Sequence, residues 1–288
     1  VERRVLIEGA LVEGEPARCW CDADNYEFLL RIMRRNQQPV FEARAGDRLP
    51  AFMFDWHTRF AGGDSLDRVY EAIERLRNFD APAALWESEL LPARLPGYRT
   101  TDLDLVLQEG NISWLGTGDK RVTFAFNDDL DLLPAPTEGP PNLFPDPAGR
   151  YDFGRLLDVS GKSAADLTRE LWDLTWRGLA NNNSMAALRR GIETGFVAPE
   201  ITNTPAEARR GRRSGFGRWR NTAPFAGNWQ AVNWPPPDND LLDREERNKD
   251  RVRILLDRYG ILFHELILRE TTGYQWRDLF RSLRIMEL

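Results

Sequence analysis

Arginine is the residue type whose chemistry is most concentrated in this sequence. Six arginines lie between positions 209 and 220, whereas the whole chain holds three lysines. A guanidinium group donates a planar pair of hydrogen bonds that fits a phosphate, and it also stacks on aromatic rings. The candidate phosphate ligands in this cluster are Arg212, Arg213, Arg218 and Arg220. A solvated loop, or a preference for arginine codons, gives the same pattern, so the cluster alone leaves nucleic-acid binding open.

A second group of arginines lies on the last predicted helix, which runs from Gln275 onward. Helical spacing places its apolar residues on one face: Trp276, Leu279, Phe280, Leu283 and Met286. The opposite face presents Arg277, Arg281 and Arg284. A short helix and a glycine-containing turn precede this helix, so the pattern is typical of a helix-turn-helix, whose second helix can lie in a nucleic-acid groove. Packing or protein interaction is the alternative use of such a unit.

No catalytic or metal site can be argued from the remaining residue types. The two histidines, His57 and His264, are 207 positions apart, and each falls on an apolar helix. Gly161-Lys162-Ser163 imitates the end of a phosphate-binding loop, but Leu156 occupies the position of its first glycine. Cys19 and Cys21 are too close for an ordinary disulfide. We therefore predict no catalytic residue, no metal ligand and no cofactor in this segment.

Composition bounds the class of protein that must position these side chains. The 288 residues are 42% hydrophobic and 29% charged, with ten tryptophans, which predicts a globular chain. The net charge of −6 gives the molecule as a whole no attraction for polyanions, so any nucleic-acid contact must be local. No apolar run is long enough to span a membrane and the N-terminus lacks a secretory signal, so we expect a cytoplasmic protein without a membrane partner.

Hydrophobic periodicity predicts a mainly α fold with small β elements. The clearest helix runs from Ser65, a possible N-cap, to Phe79. An alternating pattern on both sides of Gly116–Asp119 predicts a pair of strands. Further helices are predicted at about Ala23–Arg35, which Asp22 or Asp24 can cap, and at about Arg48–Phe60.

Six prolines between positions 133 and 149 predict an extended connector and a domain boundary. The predicted domains are residues 1–133, a helical accessory domain with terminal β-hairpins; 134–150, a proline-rich linker; 151–200, a first winged-helix-like unit; 201–240, a connector rich in Arg, Gly, Trp and Pro; and 241–288, a second winged-helix-like unit, predicted to be truncated because no hairpin follows its last helix.

Several strings, taken in order, resemble the C-terminal accessory region of the large helicase-related (Lhr) family of superfamily 2 DNA helicases. They span nearly the whole chain: Trp20-Cys21-Asp22, the run from Phe52 to His57, the run from Asn78 to Glu87 with Leu91-Pro92-Ala93-Arg94, Leu171-Trp172-Asp173-Leu174, Gly217-Arg218-Trp219, Leu256-Asp257-Arg258-Tyr259-Gly260 and Trp276-Arg277-Asp278-Leu279. The run from Asn78 to Arg94 is the most specific of these strings, and the helix-turn-helix is the least.

The resemblance implies a fold, a partner and one further site residue. In that family two RecA-like motor domains precede a winged helix and a C-terminal domain that closes a channel for the tracking strand. Trp56 matches the family's tryptophan that stacks on a nucleobase, although a ring on an apolar helix can also simply fill a core. The motor motifs are missing here, so ATP and Mg²⁺ are expected only for motor domains outside this segment, which would translocate 3′ to 5′.

Three functions follow from these observations. The preferred hypothesis is a non-catalytic region that guides single-stranded DNA, or a DNA/RNA hybrid, for an ATP-dependent DNA helicase in repair. A winged-helix DNA glycosylase is the enzymatic alternative, although the Gln-x-Gln motif of those enzymes is absent. The third is a protein-interaction or oligomerisation module, in which the aromatic loop from Trp219 to Trp234 packs on a partner.

Overall fold

The computed structural model describes residues 6–9, 11, 18–37, 42–59, 63–198, 226–236, 240–270 and 273–287. Its helices, in chain order, are α1 (Ala23–Gln37), α2 (Leu49–Thr58), α3 (Ser65–Arg75), α4 (Ala83–Leu85), α5 (Thr100–Gln108), α6 (Phe153–Ser160), α7 (Ala164–Trp176), α8 (Met185–Thr194), α9 (Leu241–Tyr259), α10 (His264–Ile267) and α11 (Trp276–Glu287). Its strands are β1 (Leu6–Gly9), β2 (Cys19–Asp22), β3 (Ala81–Pro82), β4 (Ile112–Gly118), β5 (Arg121–Phe126), β6 (Ala180–Asn182) and β7 (Trp229–Ala231). The expected mainly α fold with small β elements is confirmed.

The N-terminal hairpin and α1 form a small peripheral unit. Strand β1 pairs antiparallel with β2, and the side chain of Asp22 accepts hydrogen bonds from the backbone N–H groups of Asp24 and Asn25. The predicted cap at Asp22 is therefore present. Four apolar residues of α1 are exposed and do not join the main core, among them Phe28 at 62% and Leu29 at 56%.

Helix α3 is amphipathic, and its N-terminal capping residues explain where it begins. Asp64, not Ser65, is the N-cap: its carboxylate accepts from the N–H groups of Leu66 and Asp67, and Asp67 completes a capping box. A carboxylate is a stronger acceptor than a hydroxyl for these unpaired N–H groups. Ser65 instead donates its hydroxyl hydrogen to Asp102 of α5 over 2.5 Å, which ties the two helices together.

The sheet β3-β5-β4 supports these helices. Strands β4 and β5 pair antiparallel, with Trp114 opposite Phe124. The end of α7 lies directly on this sheet at Gly116, where a Cβ atom would be 1.9 Å from the carbonyl oxygen of Thr175. Only glycine permits so close an approach.

One hydrophobic core continues across the predicted proline-rich linker. It contains residues from α3 and the sheet as well as from α6, α7 and α8, and its largest buried rings include Trp86, Trp114, Trp172 and Trp229. Leu143 and Phe144 within the 134–150 segment are themselves buried in this core. The segment is therefore part of the packing rather than a bare spacer, because its apolar side chains gain more by burial than by remaining solvated. The exact domain boundaries stay a prediction.

The segment from 226 to 236 returns to that core after the undescribed residues 199–225. Strand β7 pairs antiparallel with β6, so that Ala231 lies opposite Ala180. Trp229 is fully buried, and Trp234 donates its indole N–H to the carbonyl oxygen of Gly178 over 2.7 Å. These two rings of the predicted aromatic loop thus pack within the chain, and do not form an exposed docking surface.

The C-terminal unit consists of the long helix α9 followed by α10 and α11. Its own core is small and includes Val252, Leu255, Ile267 and Leu279. Asp240 caps α9, and Gly260 ends it in the left-handed conformation with φ of 67°. The short α10 and α11 follow one another as the predicted helix-turn-helix requires, and residues 271 and 272 of its turn lie outside the described residues.

Candidate nucleic-acid interface

Helix α2 presents an unusual amount of aromatic surface. Pro50 lies in its first turn, where the missing N–H is not needed. None of its residues is buried, although the helix is rich in apolar side chains. Phe52 is 39% exposed, Phe54 72% and Trp56 36%. Sequence reasoning identified Trp56 but missed Phe54, which the alternation of aromatic residues at 52, 54 and 56 could have indicated.

Trp56 combines packing with partial exposure. Its indole N–H donates to the carbonyl oxygen of Asp257, near the end of α9, over 3.0 Å. Its ring centroid lies 6.0 Å from that of Phe52, with the two planes inclined by 24°. Because its donor is already used, the exposed part of this ring offers a base only stacking, which does not read sequence.

Gly260 lets the end of α9 approach these two rings. A Cβ atom at this position would lie 2.8 Å from Cδ2 of Trp56 and 2.9 Å from Cζ of Phe52. The carbonyl oxygen of Trp56 also accepts a hydrogen bond from Nη1 of Arg75, over 2.7 Å. Helices α3 and α9 therefore fix the position of Trp56 from two sides.

The predicted arginines of α11 form an exposed stripe. Arg277, Arg281 and Arg284 are all exposed, while Leu279 and Ser282 on the other side of the helix are buried. Nη2 of Arg281 lies 4.0 Å from a carboxylate oxygen of Glu245 on α9. A pair at this distance between exposed groups is weak, so the guanidinium remains able to contact a phosphate.

Trp56 of α2 and the arginine stripe of α11 both approach α9, but near different ends of that helix. Trp56 bonds to Asp257, whereas Arg281 approaches Glu245. Twelve residues of helix separate these two points, which is about 18 Å along the axis. The structure thus places the aromatic residue and the arginine stripe on one helical support without bringing them into one site. The other predicted phosphate ligands, Arg212, Arg213, Arg218 and Arg220, lie outside the described residues.

A buried ion pair lies where α9 ends, and the sequence analysis did not identify it. Nη1 of Arg258 is 2.7 Å from a carboxylate oxygen of Glu270, with side chains 1% and 2% exposed. Nη2 of Arg258 donates to the carbonyl oxygen of Arg77 over 2.6 Å. Burial alone would lower the pKa of Arg258, but Glu270 and two nearby tyrosines raise it above its usual value. The sequence could have indicated this burial, because Arg258 follows Val252 and Leu255 at three-residue steps and so lies on the same apolar face of α9.

Tyr259 completes this cluster. Its hydroxyl donates to the same carboxylate of Glu270. Burial and that carboxylate raise the pKa of Tyr259 to about 12, so the phenol stays protonated. The ring of His57 lies edge-on to Tyr259, with 6.5 Å between centroids.

Further charged contacts join α9 to the main core. Arg77, just after α3, lies 3.3 Å from carboxylate oxygens of both Asp129 and Asp257. Nε of Arg251 donates to the carbonyl oxygen of Leu132 over 3.0 Å. These polar contacts, together with the packing of Trp56 and Phe52 against Gly260, hold the C-terminal unit against the rest of the described chain.

His57 lies beside Trp56 and is surrounded by cations. Burial, followed by the positive charges of Arg94, Arg75 and Arg258, lowers its pKa from 6.5 to about 4. Its Nδ1 atom is buried without a hydrogen-bond partner among the described residues. No group of three or more His, Cys, Asp or Glu side chains in the described part of the chain lies together as a metal ion would need.

A shallow cavity of about 140 Å³ lies between the main sheet and the ends of α7 and β7. Asp80, Trp176 and Trp234 are among its lining residues. The Asp80 carboxylate is already engaged, because it accepts from Thr117 over 2.5 Å and pairs with Arg121 at 2.8 Å.

Comparison with known proteins agrees with this architecture. Sequence models of a winged-helix domain of large helicase-related proteins match residues 45–127 and, separately, residues 242–288. The first match contains α2, α3, α5 and the sheet; the second contains α9 to α11. No helix among the described residues is long and apolar enough to cross a membrane.

Two curated relatives are similar over most of the chain. A protein of Mycolicibacterium smegmatis named "Lhr helicase/probable uracil glycosylase" is 27% identical over 319 aligned positions, which cover 99% of this chain and 20% of that protein. A protein of Escherichia coli named "Lhr helicase/uracil glycosylase" is 29% identical over 260 positions, which cover 78% of this chain and 16% of that protein. The chain thus spans a fifth or less of the length of these relatives.

The two matched domains define the class as that of proteins built from winged-helix domains. The chain is similar to large helicase-related proteins over nearly its whole length, as a part of their C-terminal region, and both matched winged-helix domains are of that family. The resemblance seen in the sequence strings is thereby confirmed.

Proposed function

We propose that this chain is a non-catalytic region that guides a single nucleic-acid strand for an ATP-dependent DNA helicase. The observation that carries the proposal is helix α2, which keeps three aromatic rings exposed while its neighbours hold Trp56 in place. Exposed rings with fixed positions are what sequence-tolerant base stacking requires. ATP hydrolysis, with Mg²⁺, would belong to RecA-like motor domains that pull the strand.

The arginine stripe supplies the second half of the proposed interface. Backbone phosphates would contact Arg277, Arg281 and Arg284, and the arginines at 212, 213, 218 and 220 would add to them. Each neutralised phosphate on a single strand releases about 0.7 counterion, so seven contacts would give a log–log salt slope near −5. Net charge cannot supply this dependence, because the chain carries −6 overall.

Fluorescence anisotropy with a labelled single strand tests the proposal. We expect Trp56→Ala to lower affinity by about 5- to 150-fold, since base stacking contributes about 1–3 kcal/mol per base. Trp20→Ala is the matched control, because Trp20 is also exposed, at 63%, but lies on the peripheral hairpin. Equal affinity of the wild type and the Trp56 variant, or binding without salt dependence, would contradict the proposal.

The printed names of both relatives favour one second candidate, a uracil glycosylase. Within the described residues Asp80 lines a cavity of about 140 Å³, but Thr117 and Arg121 already engage its carboxylate. Incubation with a uracil-containing strand, followed by alkaline cleavage at abasic sites, tests this activity. Cleavage that is lost in Asp80→Asn, with the fold intact, would establish it.

A further inference from the structure

A second cavity, of about 190 Å³, lies between α9, the start of α11 and the proline-rich segment. Its polar lining includes Arg244, Asn248 and Arg251 of α9, Tyr274 before α11, and Asp278 within α11. One water molecule occupies about 30 Å³ in the liquid, so the cavity has room for an anion of several heavy atoms. The interface proposed above for a nucleic-acid strand includes none of these side chains.

Arg251 is held in place on the wall of this cavity. Its Nε donates to the carbonyl oxygen of Leu132 over 3.0 Å, and its Nη1 donates to Oδ1 of Asn248 over 3.1 Å. The guanidinium carbon also lies 5.8 Å from the centre of the Tyr274 ring. Because a planar guanidinium held in this way has little conformational freedom left to lose, it can bind a ligand at a small entropic cost.

The same guanidinium has one donor group that the described residues leave unused. Nη2 of Arg251 makes no hydrogen bond and no ion pair with any of them, and solvent can reach it. Burial lowers the pKa of Arg251, and Arg247 and Arg244 lower it further, whereas Tyr274 and Asp131 act in the opposite direction. A guanidinium that is partly removed from water recovers its lost hydration best from an anion.

Arg244 brings a second cation to the cavity. Its side chain is 66% exposed, and its Nη2 lies 3.8 Å from a carboxylate oxygen of Asp278. A pair at this distance between exposed groups is weak, so Arg244 can still contact a ligand. Asp278 is the one acidic side chain among the described residues that line the cavity, so two guanidinium groups accompany a single carboxylate there. The amide of Asn248 accepts through Oδ1, which leaves its N–H groups as further donors.

We propose that this cavity binds a phosphate group, with Arg251 as its fixed donor and with Arg244 and the amide of Asn248 as its other contacts. Phosphate oxygens accept charge-assisted hydrogen bonds, and a tetrahedral anion can meet guanidinium groups on two sides at once. The backbone of a strand, the phosphate at the end of a strand and free phosphate share this chemistry. The site goes beyond the strand-guiding function proposed above and does not depend on it.

Nitrogen–proton NMR of the whole chain reads the cavity through the side-chain amide of Asn248, whose signal is assigned by its loss in Asn248→Ala. The ligands are inorganic phosphate, a single strand with a 5′-hydroxyl and the same strand with a 5′-phosphate, at constant ionic strength set with chloride. We expect a saturable shift of this signal. A shift with both strands supports the backbone as the source, a shift with only the phosphorylated strand supports its terminal phosphate, and a shift with inorganic phosphate alone supports the free anion. No shift with any of the three would overturn the site, even if anisotropy shows that the strand binds elsewhere.

Charge variants with opposite expected effects test the contacts of the ligand that shifts the signal. Asp278→Asn should tighten binding by about 2- to 5-fold, an improvement that a damaged fold cannot produce. Arg244→Gln should weaken it by a similar factor, and Arg251→Lys, which keeps the charge but loses the planar fork, by about tenfold. Arg253→Gln is the control, because Arg253 is an exposed arginine of α9 that pairs with Asp250 and does not line the cavity. Unchanged affinity in both Asp278→Asn and Arg244→Gln would overturn the assignment.

Discussion

The main core and the C-terminal unit are stabilised by different kinds of interaction. The core around the β3-β5-β4 sheet buries several large aromatic rings in one continuous cluster. The apolar core cluster of the unit formed by α9, α10 and α11 has only four buried residues, and beside them lie a buried charged arginine and glutamate. Apolar burial contributes about 25 cal/mol per Å², whereas a buried ion pair contributes little net stability but strongly penalises the loss of one partner.

This difference assigns separate tasks to the two regions. A large apolar core is insensitive to pH and salt, so it suits a scaffold. A unit attached through Arg258, Arg77 and Arg251 can respond to charge, which the phosphates of the proposed nucleic-acid strand would bring. Trp56 lies at the junction between the two, and therefore any strand at this residue is in contact with both.

The largest effect is expected in the scaffold. Trp86 is fully buried, donates its indole N–H to the carbonyl oxygen of Val122 over 3.0 Å, and packs edge-on to Phe124 at 4.6 Å. Trp86→Ala should lower the free energy of unfolding by about 4–5 kcal/mol, measured by urea denaturation. Leu85→Ala, at a neighbouring residue that is 42% exposed, should change it by less than about 1 kcal/mol. Similar losses in both variants would remove the distinction between core and surface.

Breaking the buried ion pair should have the next largest effect. Arg258→Met leaves the carboxylate of Glu270 buried without its cation and should destabilise the chain by about 3 kcal/mol. The double variant Arg258→Met with Glu270→Leu should recover most of that loss, because no charge then remains buried. If the double variant is no more stable than the single one, the pair is not the reason for the loss, and the contrast with the apolar core fails.

Acid should weaken the junction through His57. The pKa of His57 is about 4 in the folded chain, compared with 6.5 in the unfolded chain. Between pH 4 and pH 6.5 the unfolded chain therefore binds a proton that the folded chain does not. Stability is therefore highest above about pH 6.5 and falls as the pH approaches 4. The full shift in pKa corresponds to about 3.4 kcal/mol, which solvent screening of the partly exposed ring reduces to about 2 kcal/mol. Denaturation at a series of pH values measures this. In His57→Gln the free energy of unfolding should change less with pH than in the wild type. His264→Gln is the control and should behave as the wild type does. The same pH dependence in both variants would contradict the role of His57.

The helices and strands could be predicted from the sequence, because hydrophobic periodicity and capping residues depend only on neighbouring positions in the chain. Helix α3 and the β4-β5 pair were predicted to within a few residues. The cap of α3 was misplaced by one residue, since Asp64 and Ser65 are both good caps and only their surroundings decide. The burial of Leu143 and Phe144 was not predicted, because proline content indicates local backbone shape and says nothing of what the segment packs against.

The candidate site was harder to predict because its parts come together from distant positions. Trp56 and Asp257, whose carbonyl oxygen accepts the indole N–H, are 201 positions apart, and neither belongs to a spacing that indicates a site. Trp56 was reached through family resemblance, whereas its contacts with Asp257 and Gly260 depend on how α2 and α9 pack. Amphipathic spacing did place the three arginines of α11 on one exposed face, since that property belongs to a single helix.

The smallest stability effect is expected at the outer surface of the charge-dependent unit. Arg281 is 77% exposed and approaches Glu245 at 4.0 Å, so Arg281→Ala should change the free energy of unfolding by less than about 0.5 kcal/mol. Its proposed contribution is to binding: the log–log salt slope for a single strand should become shallower by about 0.7, because one proposed phosphate contact is lost. Arg169→Ala is the matched control, since Arg169 is 76% exposed and is also paired with a carboxylate, that of Asp166, but lies on α7 of the scaffold. If both variants reduce the slope equally, the stripe on α11 is no more than general surface charge, and the strand path must be sought elsewhere on the molecule.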